Sequence, residues 1–116
     1  MGQVRRLKRL ASKLGDRTAI LDVPRISHIV AKDKLTFAVS GGREHVLDQT
    51  LTQLEAQFDP RRFVRIHRST LVNLAFVSEL HPDVGGGLLV RLRDGVRTDP
   101  SVSRDRVRPL KDRLGV

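Results

Sequence analysis

Hydrophobic and polar positions alternate in short runs along this chain, and Gly, Pro and Asp turns separate the runs. Ala19–Val23 and Ile26–Ala31 read as two strands divided at Pro24, which cannot donate to a ladder. Lys32-Asp33-Lys34 forms a polar turn and Leu35–Val39 the returning strand. Ser40-Gly41-Gly42-Arg43 is a second turn, leading into a strand over Glu44–Leu47. The period then changes. Leu51, Leu54 and Phe58 make a helical stripe, and Thr50 with Gln53 three residues on forms a capping box. Asp59-Pro60 ends that helix.

The run from Phe63 to Leu80, FVRIHRSTLVNLAFVSEL, is the longest alternating stretch without Gly or Pro. Strand geometry puts Phe63, Arg65, His67 and Ser69 on one face and Val64, Ile66 and Arg68 on the other. Neither face is uniformly apolar, so the run reads as two strands with a turn or bulge near His67–Ser69. His81–Gly87 reads as a loop. Leu88–Leu92 is a further strand with Leu88, Val90 and Leu92 on one face, opposite Arg91 and Arg93. Asp94-Gly95 signals a tight hairpin, with Val96–Asp99 returning. Val107, Leu110 and Leu114 have helical spacing, and Pro109 must sit in the first turn, so this helix starts no earlier than about Arg106.

At the other end, Leu7, Leu10 and Leu14 stand three and four apart among Arg5, Arg6, Lys8, Arg9, Lys13 and Arg17. This spacing predicts a short basic amphipathic helix ending near Gly15. Its favoured role is the tail of a linker from an upstream domain. An arm on DNA phosphates and a membrane-surface helix stay open as the other readings. Residues 1–18 therefore form a basic linker helix or N-terminal extension, and residues 19–116 a mainly β domain. That domain has several short antiparallel strands in small sheets, one central short helix and a C-terminal helix.

Composition narrows the chemistry. With 116 residues there is room for one domain, and no run approaches the ~18 apolar residues of a membrane span. No secretory signal opens the chain. The absence of cysteine excludes disulfides, zinc fingers and thiol catalysis, and fits a reducing cytoplasm. The net charge of +9 points to nucleic acid or an anionic surface. Of 22 basic residues 17 are Arg, the side chain that forks onto phosphate or guanine. A GC-rich genome accounts for the Arg-to-Lys ratio but not for the excess of positive charge.

Phe63-x-Arg65-x-His67-Arg68-Ser69-x-x-Val72-Asn73 resembles the signature of the LytTR DNA-binding domain of bacterial response regulators. Three further segments are similar to that family in the expected order. They are Pro24–Ala31 for its first strand, Thr50–Phe58 for its helix, and Val102-Ser103-Arg104 for a "vSR" element. The resemblance covers roughly residues 20–115. It implies three small sheets with a helix between two of them, and loops that enter successive major grooves. Carried over by position, Lys32 and Lys34 lie in the first loop, Arg68 in the second, and Arg104 with Arg106 in the third. It also implies double-stranded DNA with paired direct repeats, a homodimer on DNA, and an upstream receiver or sensor domain outside this chain. Thr70 and Arg106 stand where aromatics are common in the family, which leaves local packing and base preference specific to this chain.

His67 with Ser69 invites a hydrolase reading, but no third partner or oxyanion-type Gly motif accompanies them. A partly buried imidazole with satisfied hydrogen bonds is the better reading, with Arg65 and Asn73 bracing the turn through backbone groups. His28, His45 and His81 are scattered, and without cysteine they form no metal-ligand spacing. No catalytic residue, cofactor or small-molecule substrate is expected. The alternative function is a non-specific DNA- or RNA-binding basic module. Single-strand recognition favours stacking aromatics, yet this chain has four Phe and no Tyr or Trp, and Phe58, Phe63 and Phe76 read as core.

Overall fold

Alternation and turn chemistry build most of the fold. A computed structural model describes residues 6–95 and 98–116. Among the described residues ten strands form three small sheets: β1 (Arg9–Leu14) pairs with β2 (Arg17–Asp22) in a ribbon. The five-stranded sheet contains β3 (Ile26–Lys32), β4 (Leu35–Ser40), β5 (Arg43–Leu47), β6 (Phe63–His67) and β7 (Thr70–Asn73), in the order β5-β4-β3-β7-β6. The third sheet contains β8 (Val77–Pro82), β9 (Leu88–Leu92) and β10 (Ser101–Val102), in the order β10-β9-β8. Every pairing is antiparallel.

Helix α1 (Leu51–Gln57) carries the expected capping box: Thr50 Oγ1 accepts from the Gln53 N–H at 3.1 Å, and Gln53 Oε1 accepts from the Thr50 N–H at 2.9 Å. Its Leu51 and Leu54, with Phe58 just beyond, sink between the ribbon and one face of the five-stranded sheet. There they meet Leu10 and Leu21 from the ribbon and Ile29, Ala38, Leu71 and Phe63 from the sheet. Phe58 and Phe63 lie 4.5 Å apart between ring centroids. The other face, at its β6–β7 end, packs Ile66 and Val72 against Val90, Leu92, Val102 and Leu110. Leu110 belongs to α2 (Val107–Leu114), which follows a 3-10 turn over Arg104–Arg106. Each such fully buried aliphatic side chain contributes about 1.5–3 kcal/mol. Strand β6 thus separates two cores, with Phe63 in one and Ile66 in the other.

Three expectations are corrected. The helix predicted over residues 1–17 is not formed in its described part, residues 6–17, because Arg9–Leu14 is a strand. Gly15, at φ 64°, turns the chain so that Leu14 pairs with Arg17, and Leu10 and Ser12 point inward while Leu14 is exposed. Strand β8 runs into the segment expected to be loop: His81 pairs with Leu89 and Pro82 with Leu88, so the loop begins only at residue 83. Proline is accommodated because it closes the strand. Finally, the return expected over Val96–Asp99 is reduced to a single bridge between Thr98 and Leu92, and Val96 and Arg97 lie outside the described residues.

Candidate nucleic-acid interface

Three loops separated by more than thirty residues each are drawn to one end of the five-stranded sheet by backbone hydrogen bonds. The hairpin β3–β4 ends in Asp33 and Lys34, both left-handed at φ 53° and 64°. Two adjacent positive φ values match the right-handed twist of the flanking strands in a two-residue hairpin, which is why Gly and Asn usually fill these places. The turn between β6 and β7 is Arg68-Ser69, and the Ser69 carbonyl accepts from the Ala31 N–H at 2.9 Å. The third loop, Ser103–Arg106, is tied to the same strand: the Ser103 N–H donates to the Ile66 carbonyl at 2.8 Å. Residues 32–34, 68 and 104–106 therefore belong to one surface.

The central turn is braced from inside. Arg65, with a side chain only 13% exposed, donates from Nε to the His67 carbonyl at 2.9 Å and from Nη2 to the Arg68 carbonyl. Its Nη1 holds Glu55 of α1 at 3.0 Å. One planar fork therefore fixes two successive carbonyls of the turn to the helix below. His67 Nδ1 accepts from the Ser69 N–H at 3.2 Å, which leaves its proton on Nε2, and Ser69 Oγ is 2.9 Å from the same nitrogen. The histidine is a satisfied, half-buried part of the turn. Alternation resets through a bulge between Arg65 and His67, slightly earlier than the sequence reading placed it. Asn73 braces a different turn: its Nδ2 donates to the carbonyls of Pro24 at 3.2 Å and Ile26 at 2.9 Å.

Arg68, Arg104, Lys32 and Lys34 are all exposed, and Arg106 is half-buried. Lys32 is not idle: its Nζ meets Glu44 Oε2 at 2.6 Å and lies 5.2 Å from the Phe37 ring centroid. Such an exposed pair is worth about 0–1 kcal/mol and exchanges readily for a phosphate. Arg106 Nε stands 4.0 Å from Asp105. For Lys34, Arg68 and Arg104 no ion pair is formed among the described residues. Glu55 and the Ser103 backbone, which hold the surface together, carried no local signal in the sequence. Their partners lie far along the chain. Among the described residues no group of His and carboxylates could hold a metal ion, and no helix is long and apolar enough to cross a membrane.

Comparisons with known proteins agree with this architecture. The chain is 27% identical over 96 residues to the transcriptional regulatory protein YpdB of Escherichia coli K12, covering 83% of this chain and 39% of that protein. It is 31% identical over 87 residues to an uncharacterized response regulatory protein of Vibrio cholerae, covering 72% of this chain and 33% of the relative. The chain thus spans well under half the length of these relatives. The structure superposes with a TM-score of 0.84 on the LytTr DNA-binding domain of a putative methyl-accepting/DNA response regulator from Bacillus cereus, at 21% identity. That match covers 95% of this chain and 99% of the other, and establishes the shared fold. The family model described as the LytTr DNA-binding domain matches residues 16–115, and the chain belongs to the LytTR DNA-binding domain family.

Proposed function

We propose that this domain binds double-stranded DNA in a sequence-specific way as the output domain of a bacterial transcriptional regulator. The observation that carries this reading is the convergence of three cationic loops on one surface through the Ala31–Ser69 and Ser103–Ile66 hydrogen bonds. Arg68 and Arg104 read base edges, since each is an exposed guanidinium on a braced backbone. Lys32 and Lys34 hold phosphates, and Arg106 supports the third loop. A left-handed lysine at position 34 supports the assignment, because glycine would fit there with less strain. In this reading the protein works in the bacterial cytoplasm, under an upstream receiver or sensor domain. Two copies lie on direct repeats whose half-sites are roughly 34–36 Å, or a multiple of that, apart.

Selection of fragmented genomic DNA by the purified domain at ~0.15 M salt tests this function. Enrichment of a repeated short motif supports specific binding. Retention of DNA without any motif leaves only the charge-driven, non-specific reading, and preferential retention of RNA overturns the proposal.

A further inference from the structure

A pocket of about 670 Å³ opens at the opposite end of the five-stranded sheet from the three loops. It is lined by residues 22–25, which lead into β3, and by Arg62 and Phe63, where β6 begins. The loops lie at the far ends of those same strands. Residues 6–9 form the facing wall. Both walls are held by hydrogen bonds: the Leu7 N–H donates to the Gln57 carbonyl at 3.1 Å and the Val23 N–H to the Lys8 carbonyl at 2.9 Å. Asn73 fixes the Pro24 carbonyl from behind.

The lining combines an apolar surface from Leu7, Val23, Pro24 and Phe63 with an excess of cations. Its two carboxylates are already engaged. Asp22 meets Arg9 at 3.4 Å, and both oxygens of Asp59 are taken at 3.2 Å by Arg61, which lies outside the pocket. That hydrogen-bonded pairing holds the Asp59 carboxyl below its ordinary range. Arg6 donates to the Phe58 carbonyl at 3.3 Å. Lys8, Arg25 and Arg62 form no ion pair among the described residues.

We propose that this pocket is a binding site for a small organic anion with a flat apolar body, an aromatic carboxylate or aryl phosphate. The volume lies within the ~300–1,000 Å³ usual for such ligands. A bare inorganic anion would leave the apolar lining wet, and a neutral aromatic would gain nothing from the three exposed cations. Because the pocket and the loops lie at opposite ends of β3 and β6, ligand and DNA bind together rather than in competition.

The test is a titration of the isotope-labelled domain with 2-naphthoate, 1-naphthyl phosphate, 2-naphthol and inorganic phosphate, followed by amide NMR. The expected result is a shift of the Leu7, Val23, Arg25 and Phe63 signals with either aryl anion. Binding of naphthol and of inorganic phosphate is weaker by about tenfold or more. Substituting Arg25→Gln with Arg62→Gln weakens aryl-anion binding by about fivefold or more. These two side chains make no bond that the fold needs, so melting temperature and discrimination between specific and scrambled duplexes stay unchanged. Equal binding of naphthol, shifts confined to other residues, unchanged affinity in the double variant, or no binding by about 10 mM overturns the proposal.

Discussion

The Ser103 N–H donates to the Ile66 carbonyl at 2.8 Å, two residues before the turn that carries Arg68. This bond places Arg104, on the last loop of the domain, beside a strand nearly forty residues earlier. Ser103 has φ −64° and ψ 147°, values that proline adopts without strain. Ser103→Pro therefore keeps the dihedrals but removes this donor and sets the ring Cδ against the Ile66 carbonyl, which forces the latch open. Leaving that buried carbonyl unpaired costs about 1–3 kcal/mol. We expect a lowered melting temperature in a protein that still folds, and a clear loss of discrimination between specific and scrambled duplexes. Retained discrimination in a folded Ser103→Pro protein would show that the latch does not position Arg104.

Arg65 makes the second prediction. Its fork holds the His67 and Arg68 carbonyls and Glu55, yet the side chain is only 13% exposed. Arg65→Ala should cost about 1–3 kcal/mol by chemical denaturation and weaken DNA binding through the loosened turn. Arg65→Lys keeps the charge for Glu55 but cannot hold two carbonyls in one plane, so it should recover part of the stability and little of the DNA affinity. Full recovery with lysine argues against the fork as the positioning device.

At the hairpin tip, stability and binding should move in opposite directions. Lys34 is left-handed at φ 64°, a conformation that costs a non-glycine residue about 1 kcal/mol. Lys34→Gly is expected to stabilise the domain by up to that amount while weakening DNA binding equally across sequences. Its log affinity against log salt should flatten by about 1 unit of slope. Arg68→Ala and Arg104→Ala should instead leave stability unchanged and reduce discrimination between sites by about 1–3 kcal/mol. Competition binding over a salt series separates the two classes.

Buried His28 gives the domain a pH dependence. Burial pushes its imidazole below the ordinary 6.5, and the charges of Asp94 and Glu44 oppose that only in part. Ser27 Oγ donates to the Val39 carbonyl at 3.2 Å and lies 2.9 Å from His28 Nδ1, so the neutral ring carries its proton on Nδ1. The unfolded chain takes up a proton near pH 6.5, before the folded one does. Stability is therefore fully present above that pH and falls as the pH drops through it toward the lower folded value. Melting temperatures measured from neutral pH downward should show this decline in the wild type and a flatter profile in His28→Gln. Parallel profiles would assign the acid sensitivity to other groups.

Local pattern carried much of the architecture. Alternation marked β3, β4, β6, β7 and β9, the capping box fixed the start of α1, and Pro109 bounded the start of α2. The ribbon was hidden because Leu7, Leu10 and Leu14 satisfy helical spacing, while the inward partner of Leu10 is the polar Ser12. What decides that segment is pairing with β2, a contact no window over residues 1–17 contains. The proposed surface was suggested only by likeness to a family. Nothing local joins Ala31 to Ser69 or Ile66 to Ser103, and the cations at 32, 34, 68, 104 and 106 look like any others in a chain with 22.

The most direct test of a single three-loop surface is an amide NMR map of the domain with a duplex recovered by genomic selection. We predict that the largest perturbations fall together on residues 31–35, 67–70 and 103–107, with side-chain signals of Arg68 and Arg104 among them. Perturbations that leave one of these loops untouched, or that centre on residues 22–25 and 62–63 at the opposite end of the sheet, would contradict the account.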